Sequence, residues 1–307
     1  MIKRTIEISS EAAHLTVKNE QLLILAKDDE RTQRASIPCE DIGLVLSEHP
    51  GTTYAHAALD RLCKYGAGLV ICGRDHLPTG LLLPIGEHSQ VVPRIHTQIA
   101  IKKPLRKQLW KQIVAAKIRA QAGNLTERSA ERSRMLALAR SVRSGDPSNV
   151  ESHAAQLYWR HWLDEPEFRR RRDGPPPNNL LNYGYAVMRA AIARAVVAAG
   201  LLPALGLHHH NRSNAFCLAD DLVEPLRPIV DEQVRKLHRD GQCELIPMVK
   251  KALLELLTVE IHVAGQRGPL MVALHRYVAS LVSCYEGETK RLSIPTMCEN
   301  GPAGNGA

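Results

Sequence analysis

The sequence predicts an α+β protein in which a small β-rich N-terminal domain is followed by an all-α domain. Short apolar or alternating segments separated by polar clusters fill residues 1–85, as is typical of strands and turns. From His96 onward, apolar residues recur at helical spacing instead. Residues 86–95 lie in a stretch with several glycines and prolines, which predicts a linker. The helical domain is then expected at 96–298, and a disordered tail at 299–307.

The N-terminal domain is expected to form a sheet closed by a single helix. The helix lies between Thr53 and Tyr65, where apolar side chains form one stripe, and the glycines that follow end it. Leu69–Cys72 is a short apolar run typical of a buried strand. The earlier strands are predicted at 5–9, 14–18, 21–26, 35–38 and 42–46.

Four helices are predicted between residues 96 and 199. The first is one long helix from about residue 96 to 122, and the second spans 130–142. The turn at 145–149 starts a third helix at about Val150. A fourth, alanine-rich helix at 178–199 is apolar enough to lie in the centre of the domain.

Positive charge is concentrated in the middle third of the chain. The formal net charge is +8; residues 89–172 carry 18 basic and 7 acidic side chains, against 9 and 12 in residues 1–88 and 13 and 13 in residues 173–307. This excess favours a surface that faces nucleic-acid phosphates, with an acidic protein as the main alternative partner. The candidate phosphate contacts are Lys102, Lys103, Arg106, Lys107 and Lys111, continued by Lys117 and Arg119 on the same helix, and Arg169, Arg170, Arg171 and Arg172 in a loop.

Several classes of protein are excluded by the composition. The N-terminus lacks the apolar core of a signal peptide, and no apolar run approaches 18 residues, so a cytoplasmic location is predicted. The seven cysteines are scattered and contain no C-x-x-C pair. Neither a disulfide framework nor a zinc ribbon is therefore indicated, and the cysteines are expected to be reduced and mostly buried.

The segment 201–231 holds the densest set of candidate metal ligands. Between positions 208 and 224 it places three histidines (His208, His209, His210) and three carboxylates (Asp220, Asp221, Glu224). Nitrogen and oxygen ligands together suit Mg²⁺ or Mn²⁺. The alternative is that the acids only favour the positive end of a helix dipole. The same alternative applies to Glu151 in the first turn of its predicted helix, although the adjacent alanines would allow it to pack inside, where an ionised acid needs a cation.

Four motifs resemble, in order along the chain, those of the CRISPR-associated integrase family Cas1. They are NVESHAAQLYW at 149–159, NNLLNYGY at 178–185, LPALGLHH at 202–209 and DLVEPLRP at 221–228. A further segment, VICGRDHLPTGLLLP at 70–84, is similar to the end of the N-terminal domain in members from type II systems, which contain Cas9.

The resemblance implies a metal site and a set of partners. It puts the catalytic metal ligands at Glu151, His209 and Glu224, with Asp221 in a supporting role, and the run of histidines leaves His208 and His210 as alternatives. It also implies a homodimer that acts on double-stranded DNA (protospacer and CRISPR repeat). Two such dimers and a Cas2 dimer would form a heterohexamer, with Cas9 as a further candidate partner.

The expected activity is that of a metal-dependent DNA endonuclease and integrase of CRISPR adaptation. With Mg²⁺ or Mn²⁺ it would join the 3′-OH ends of short duplex DNA into the CRISPR repeat by transesterification. A structure-selective nuclease on branched DNA and a non-catalytic DNA-binding scaffold are the alternatives.

Overall fold

The computed structural model describes residues 3–28, 30–74, 76–84, 90–163 and 165–298. A strand-rich N-terminal region is followed by a helical domain, as the sequence predicts. The predicted tail at 299–307 and residues 86–89 of the predicted linker lie outside the described residues. None of the helices in the described ranges is both long enough and apolar enough to span a bilayer.

Two four-stranded sheets form the described part of the N-terminal region. One has the strand order β1-β5-β7-β8 and the other β4-β3-β2-β6. Helix α1 turns Ala58 and Leu62 into the core between them. The elements are β1 (Arg4–Ile8), β2 (Ala13–Lys18), β3 (Gln21–Ala26), β4 (Gln33–Pro38), β5 (Ile42–Ser47), β6 (Thr53–Tyr54), α1 (His56–Lys64), β7 (Gly68–Cys72) and β8 (Pro78–Leu82).

The helical domain also contains a small sheet of order β10-β9-β11, which the sequence did not predict. Strands of two to four residues are too short to show a period of two. The elements are α2 (Val91–Ala100), α3 (Lys103–Gly123), α4 (Ala130–Ser141), α5 (Val150–His161), α6 (Asn178–Ala198), α7 (Cys217–Val223), α8 (Arg227–Arg239), α9 (Pro247–Leu254), β9 (Glu260–Val263), β10 (Gln266–Pro269), α10 (Leu270–Tyr285) and β11 (Thr296–Met297).

Prolines account for two differences from the expected elements. The predicted long helix is divided at residues 101–102, because Pro104 lies in the first turn of α3 and disfavours helical geometry just before it. The stretch 80–93 contains the end of β8, which lies at the edge of its sheet, where a proline at the first position is tolerated. Helix α2 begins at Val91, so residues 91–95 of the predicted linker are helical.

Helix α6 lies at the centre of the molecule. Its apolar side chains are buried along almost the whole length, and the helix contacts β7 and β8 as well as α7, α8 and α10. At Gly184 an added Cβ would collide with Val230 of α8, so glycine allows the two helices to approach closely.

The sheet that contains β5 has two buried faces. Because side chains alternate along a strand, Leu44 and Leu46 join the core of the helical domain, whereas Val45 joins the core shared with the second sheet. A buried ion pair between Glu48, just beyond β5, and Lys250 of α9 links the two regions further. All seven cysteines fall within the described residues, where none of them forms a disulfide, and four of them are buried.

Candidate active site

Asp221 organises the segment that carries the three histidines. This carboxylate lies in α7 and is fully buried, with 0% of its side chain exposed. Oδ2 accepts the backbone N–H groups of Leu207 at 2.5 Å and His208 at 2.9 Å. Oδ1 accepts the backbone N–H of His209 at 3.2 Å and lies 2.6 Å from Nδ1 of the same residue. With both oxygens engaged in this way, the geometry favours a supporting role for Asp221 over that of a direct metal ligand.

Gly206 allows the histidine segment to pack this closely against α7. A Cβ at this position would collide with the carbonyl oxygen of His209, and it would lie 2.9 Å from Asp221 Oδ2 and 3.0 Å from the Cβ of Cys217. A side chain at residue 206 would therefore displace the loop from the carboxylate that holds it.

His209 is the histidine whose orientation is fixed by a carboxylate. The hydrogen bond to Asp221 raises the pKa of His209 above its ordinary value of 6.5, against an opposing effect of burial, and the charge of Glu224 adds to the increase. Since Nδ1 is held by Asp221, a metal would bind through Nε2, the arrangement common to histidine ligands supported by a carboxylate.

The neighbouring histidines have different surroundings. The ring of His208 stacks in parallel on the buried indole of Trp110, with ring centroids 4.3 Å apart. The ring of His209 meets the same indole edge-on at 5.9 Å. His210 is exposed. These contacts favour His209 among the three as the ligand, as the resemblance implies.

Glu151 and Glu224 both form an ion pair with the same lysine, Lys117. The ammonium of Lys117 in α3 lies 2.6 Å from Glu151 Oε1 and 2.5 Å from Glu224 Oε2. The two carboxylate oxygens therefore cannot be more than 5.1 Å apart, the sum of these distances. The exposed fractions of the side chains are 12% for Lys117, 23% for Glu151 and 5% for Glu224.

Glu151 is positioned by the start of α5. The carboxylate of Asp146 accepts the backbone N–H groups of Val150 at 2.9 Å and Glu151 at 3.0 Å, and so caps two donors that lack partners within the helix. The predicted turn at 145–149 therefore begins the helix, and it holds Glu151 in the first turn, where the sequence places it.

Glu224 sits where α7 passes into a 3₁₀ turn formed by residues 224–226. Its backbone remains in the right-handed helical region, with φ −51° and ψ −48°, although the following proline disfavours that geometry. Asp221 lies inside α7 and not in its first turn, so the alternative of an acid favoured by the helix dipole does not apply to it, whereas Asp220 does lie in that turn. Arg227, at the start of α8, lies 3.0 Å from Glu224 Oε1.

Lys117 and Glu224, which form an ion pair, are both held in their charged forms. Burial alone would lower the pKa of Lys117, but the carboxylates of Glu224 and Glu151 outweigh it, so that pKa is raised above 10.5. Burial alone would raise the pKa of Glu224, but Arg227 and Lys117 outweigh it, so that pKa is lowered below 4.5. An ionised acid at this depth needs such cationic neighbours.

The side chains of Glu151, Glu224 and His209 are of the types that bind a divalent cation, although they do not surround a single point. Among the described residues, no three histidine, cysteine, aspartate or glutamate side chains converge closely enough to hold a metal as they stand. The ammonium of Lys117 lies between two of the three candidate ligands, and it shows that their carboxylates already converge on a cation. Two carboxylates and an imidazole suit Mg²⁺ or Mn²⁺.

The predicted phosphate contacts fall into two groups with different surroundings. Lys102, Lys103 and Lys107 are exposed at the start of α3, whereas Arg106 and Lys111 are partly buried. Lys111 and Arg119 line a groove of about 1030 Å³ between α3, α8 and the chain near residue 295. Lys117 does not belong with them, because its charge faces the acids inside the site.

The arginine loop lies near Arg227, the residue that pairs with Glu224. Arg170 and Arg172 line a cavity of about 400 Å³ together with Asp220 and Arg227. Arg170 also donates to the side-chain oxygens of Asn178 and Asn182 in α6, so the loop is anchored at this point. Arg169 and Arg171 are exposed and line a second groove along α5.

Comparison with known proteins decides the family. The family model described as CRISPR associated protein Cas1 matches residues 6–251. The CRISPR-associated endonuclease Cas1 of Neisseria meningitidis serogroup C (strain 8013) is 37% identical over 286 residues, which cover 92% of each chain. This chain belongs to the Cas1 family.

Solved structures share the fold of this Cas1 protein. A casposase bound to its integration product has a TM-score of 0.76 at 19% identity, with 95% of this chain and 93% of that chain covered. A chain of a Cas6-RT-Cas1–Cas2 complex has a TM-score of 0.75 at 17% identity, with 95% of this chain and 36% of that chain covered.

Near Glu224 of this Cas1 protein lies a further buried carboxyl group, Asp231, which sequence reasoning missed. Asp231 of α8 accepts hydrogen bonds from the hydroxyl of Tyr158, at 2.9 Å, and from the hydroxyl of Tyr185. The guanidinium of Arg227 lies over the ring of Tyr185, 4.8 Å from its centroid. Arg227 thus connects this network to Glu224.

Lys117, Trp110 and Gly206 are the other contributors to the Cas1 site whose roles the sequence did not reveal. Trp110 and Lys117 are seven positions apart in α3, so they share one side of the helix. That spacing places the lysine on the same side as a buried indole and is the signal that could have revealed it. Gly206 precedes the histidines by two positions, but only the packing against α7 gives it a role.

Proposed function

We propose that this Cas1 protein is a metal-dependent DNA integrase that inserts short duplex DNA into the repeat of a CRISPR array. The observation that carries the proposal is the convergence of Glu151 and Glu224 on one cationic atom, with His209 near enough for the charge of Glu224 to add to the rise of its pKa. These are the residues that the motif resemblance assigns to the catalytic metal. The casposase that shares this fold is bound, in its structure, to an integration product.

The reaction exchanges one phosphodiester for another. The 3′-hydroxyl oxygen of the incoming strand attacks a phosphorus atom of the repeat, and the bond from that phosphorus to its former 3′ oxygen breaks. One bond of the same kind forms for each that breaks, so no energy input is needed. Mg²⁺ or Mn²⁺, when bound, would lower the pKa of the attacking hydroxyl and neutralise charge at the phosphorus.

The protein's own contribution is to hold its ligands in place before the substrate arrives. Glu151, Glu224 and His209 would hold the cation, and Asp221 would fix His209 with Nε2 directed away from α7. Arg227 and Lys117 keep Glu224 ionised, as the lowered pKa of this carboxyl indicates. A site assembled in this way loses little freedom when the reaction begins.

The DNA would be held by the basic surface of the helical domain. The exposed lysines at the start of α3 suit a duplex backbone, since their contribution does not depend on sequence. Arg170 and Arg172 line a cavity that they share with Arg227, the partner of Glu224, and their guanidinium groups suit DNA phosphates. The whole interaction should weaken steeply with salt.

The partners follow from the relatives and not from the chain alone. A homodimer, bridged in pairs by a Cas2 dimer into a heterohexamer, is the assembly that the motif resemblance implies. One of the structural neighbours is itself part of a complex of Cas6-RT-Cas1 with Cas2, which supports Cas2 as a partner. Cas9 is a further candidate partner, since the chain resembles type II members.

A strand-transfer assay tests the proposal. Duplex DNA with a labelled 3′-OH strand is incubated with repeat DNA and Mn²⁺, and joined products are separated from cut ones. Glu151→Ala and His209→Ala should abolish joining, whereas Glu255→Gln, at an exposed glutamate of the same domain, should retain it. Full activity in either alanine variant would remove the metal assignment.

Cut but unjoined products would favour a nuclease on branched DNA, and DNA binding without any reaction or bound Mn²⁺ would favour a scaffold.

A further inference from the structure

Lys117 occupies the space between the two acids that are the proposed metal ligands. Its ammonium contacts Glu151 at the start of α5 and Glu224 at the end of α7, two residues that are far apart in the chain. The lysine itself comes from a third element, α3. A lysine that served only to neutralise Glu224 would not need to reach Glu151 as well, because Arg227 already pairs with Glu224.

We infer that Lys117 is a placeholder cation, which holds the two acids together and must be displaced before a divalent metal can bind. The inference rests on the proposed function, since it concerns the same site. An ammonium 2.6 Å and 2.5 Å from the two oxygens fills the gap between them. A metal that binds both oxygens would need that gap, so the two cations exclude one another.

The chemistry of lysine suits this role. Its charge is a single point at the end of a flexible four-carbon stem, so it can withdraw by rotating its side chain, whereas an arginine fork would be harder to dislodge. Without a cation, the mostly buried Glu151 and Glu224 would repel one another and separate. Lys117 therefore keeps the site assembled in the metal-free protein, and it lowers the affinity for the metal that replaces it.

The first experiment uses the unmodified protein. The chain is labelled briefly with acetic anhydride, with and without saturating Mn²⁺, and the labelling of each lysine is measured by mass spectrometry. At 12% exposure Lys117 should react slowly without metal, and Mn²⁺ should increase its labelling at least about threefold as the ammonium is released. Lys103, exposed on the same helix, serves as the control and should be labelled equally in both conditions. Unchanged labelling of Lys117 in protein saturated with Mn²⁺ would overturn the inference.

The second experiment measures metal affinity by calorimetry in Lys117→Met and in the matched control Lys103→Met. Removal of the competing ammonium should tighten Mn²⁺ binding by about tenfold or more. Mn²⁺ should also raise the melting temperature of Lys117→Met by more than it raises that of the parent, because the metal restores the missing charge. Lys103→Met should bind Mn²⁺ as the parent does.

The outcomes separate this inference from the function on which it rests. If the parent protein binds Mn²⁺ and Lys117→Met binds it equally or more weakly, the placeholder role is wrong and the metal site stands. If the parent binds no Mn²⁺, the proposed function fails, and the placeholder role fails with it. Should Lys117→Met fail to fold, the labelling experiment on the unmodified chain still decides.

Discussion

Buried Asp231 should make the stability of this Cas1 protein depend on pH in a way that one substitution isolates. Burial raises the pKa of Asp231 from 3.8 to about 7, even though hydrogen bonds from Tyr185 and Tyr158 oppose the increase. The folded protein therefore keeps this proton up to about pH 7, whereas the unfolded chain releases it near pH 3.8. Between these values the unfolded state binds fewer protons, so stability falls as the pH rises and levels off above about pH 7.

The size of the effect follows from the same two values. A gap of about three pKa units corresponds to about 4 kcal/mol of unfolding free energy when the group is ionised in both states. Part of that cost is already present at about pH 5, because the unfolded chain is largely ionised there. The remaining loss between about pH 5 and about pH 8 is about 2–3 kcal/mol.

Asp231→Asn isolates this contribution, since it keeps the shape of the side chain and removes its titration. Urea unfolding of the parent and the variant in the presence of a chelator gives both free energies at each pH. The difference, variant minus parent, should grow by about 2–3 kcal/mol from about pH 5 to about pH 8. Asp240→Asn, at an exposed position just after the same helix, is the control and should show no such trend. A pH-independent difference for Asp231→Asn would refute the reasoning.

Three further substitutions test other parts of the structure. Gly206→Ala should displace the histidine segment from Asp221, because the added Cβ collides with the backbone of that segment. Urea unfolding should show a loss of stability of about 1–3 kcal/mol, and calorimetry should show Mn²⁺ binding weakened about tenfold. Parental values in both measurements would show that the close packing is unimportant. Lys250→Met should destabilise the protein in urea unfolding by less than the cost of an unpaired buried charge, about 3–5 kcal/mol, because His76 remains 3.0 Å from the buried carboxylate of Glu48, and a loss under about 1 kcal/mol would contradict this. The exposed lysines at the start of α3 are Lys102, Lys103 and Lys107. Replacing all three by glutamine should weaken DNA binding and reduce the slope of log K against log salt concentration by about 3. An unchanged slope would place the DNA elsewhere.

Periodicity alone predicted much of the fold. All five of the early strands and α6 lie within two residues of their predicted bounds, because period two and period 3.6 report directly which side of each element is buried. Two of the errors occurred where proline altered the local geometry: at the division of α2 from α3, and at β8, where an edge position tolerates Pro78. Pro104 marks the first division in the sequence itself, whereas the edge position of β8 depends on its pairing with β7.

The sequence proposes the metal ligands but does not show what surrounds them. Residue type and the motif resemblance select His209 and Glu224, and in the structure the charge of Glu224 contributes to the raised pKa of His209. The sequence groups Lys117 with the phosphate-binding surface, because a lysine beside other basic residues looks exposed in sequence. Its burial depends on Glu151, 34 positions away, and tertiary contacts of this kind leave no local signal.

The most direct test of the shared metal site is a crystal of this protein soaked in Mn²⁺ and measured at a wavelength where manganese scatters anomalously. We predict one anomalous peak among Glu151, Glu224 and His209 Nε2, with the ammonium of Lys117 withdrawn from the two carboxylates. A peak bound elsewhere, or none at a Mn²⁺ concentration that supports DNA joining, would contradict the claim that these three side chains share one metal ion.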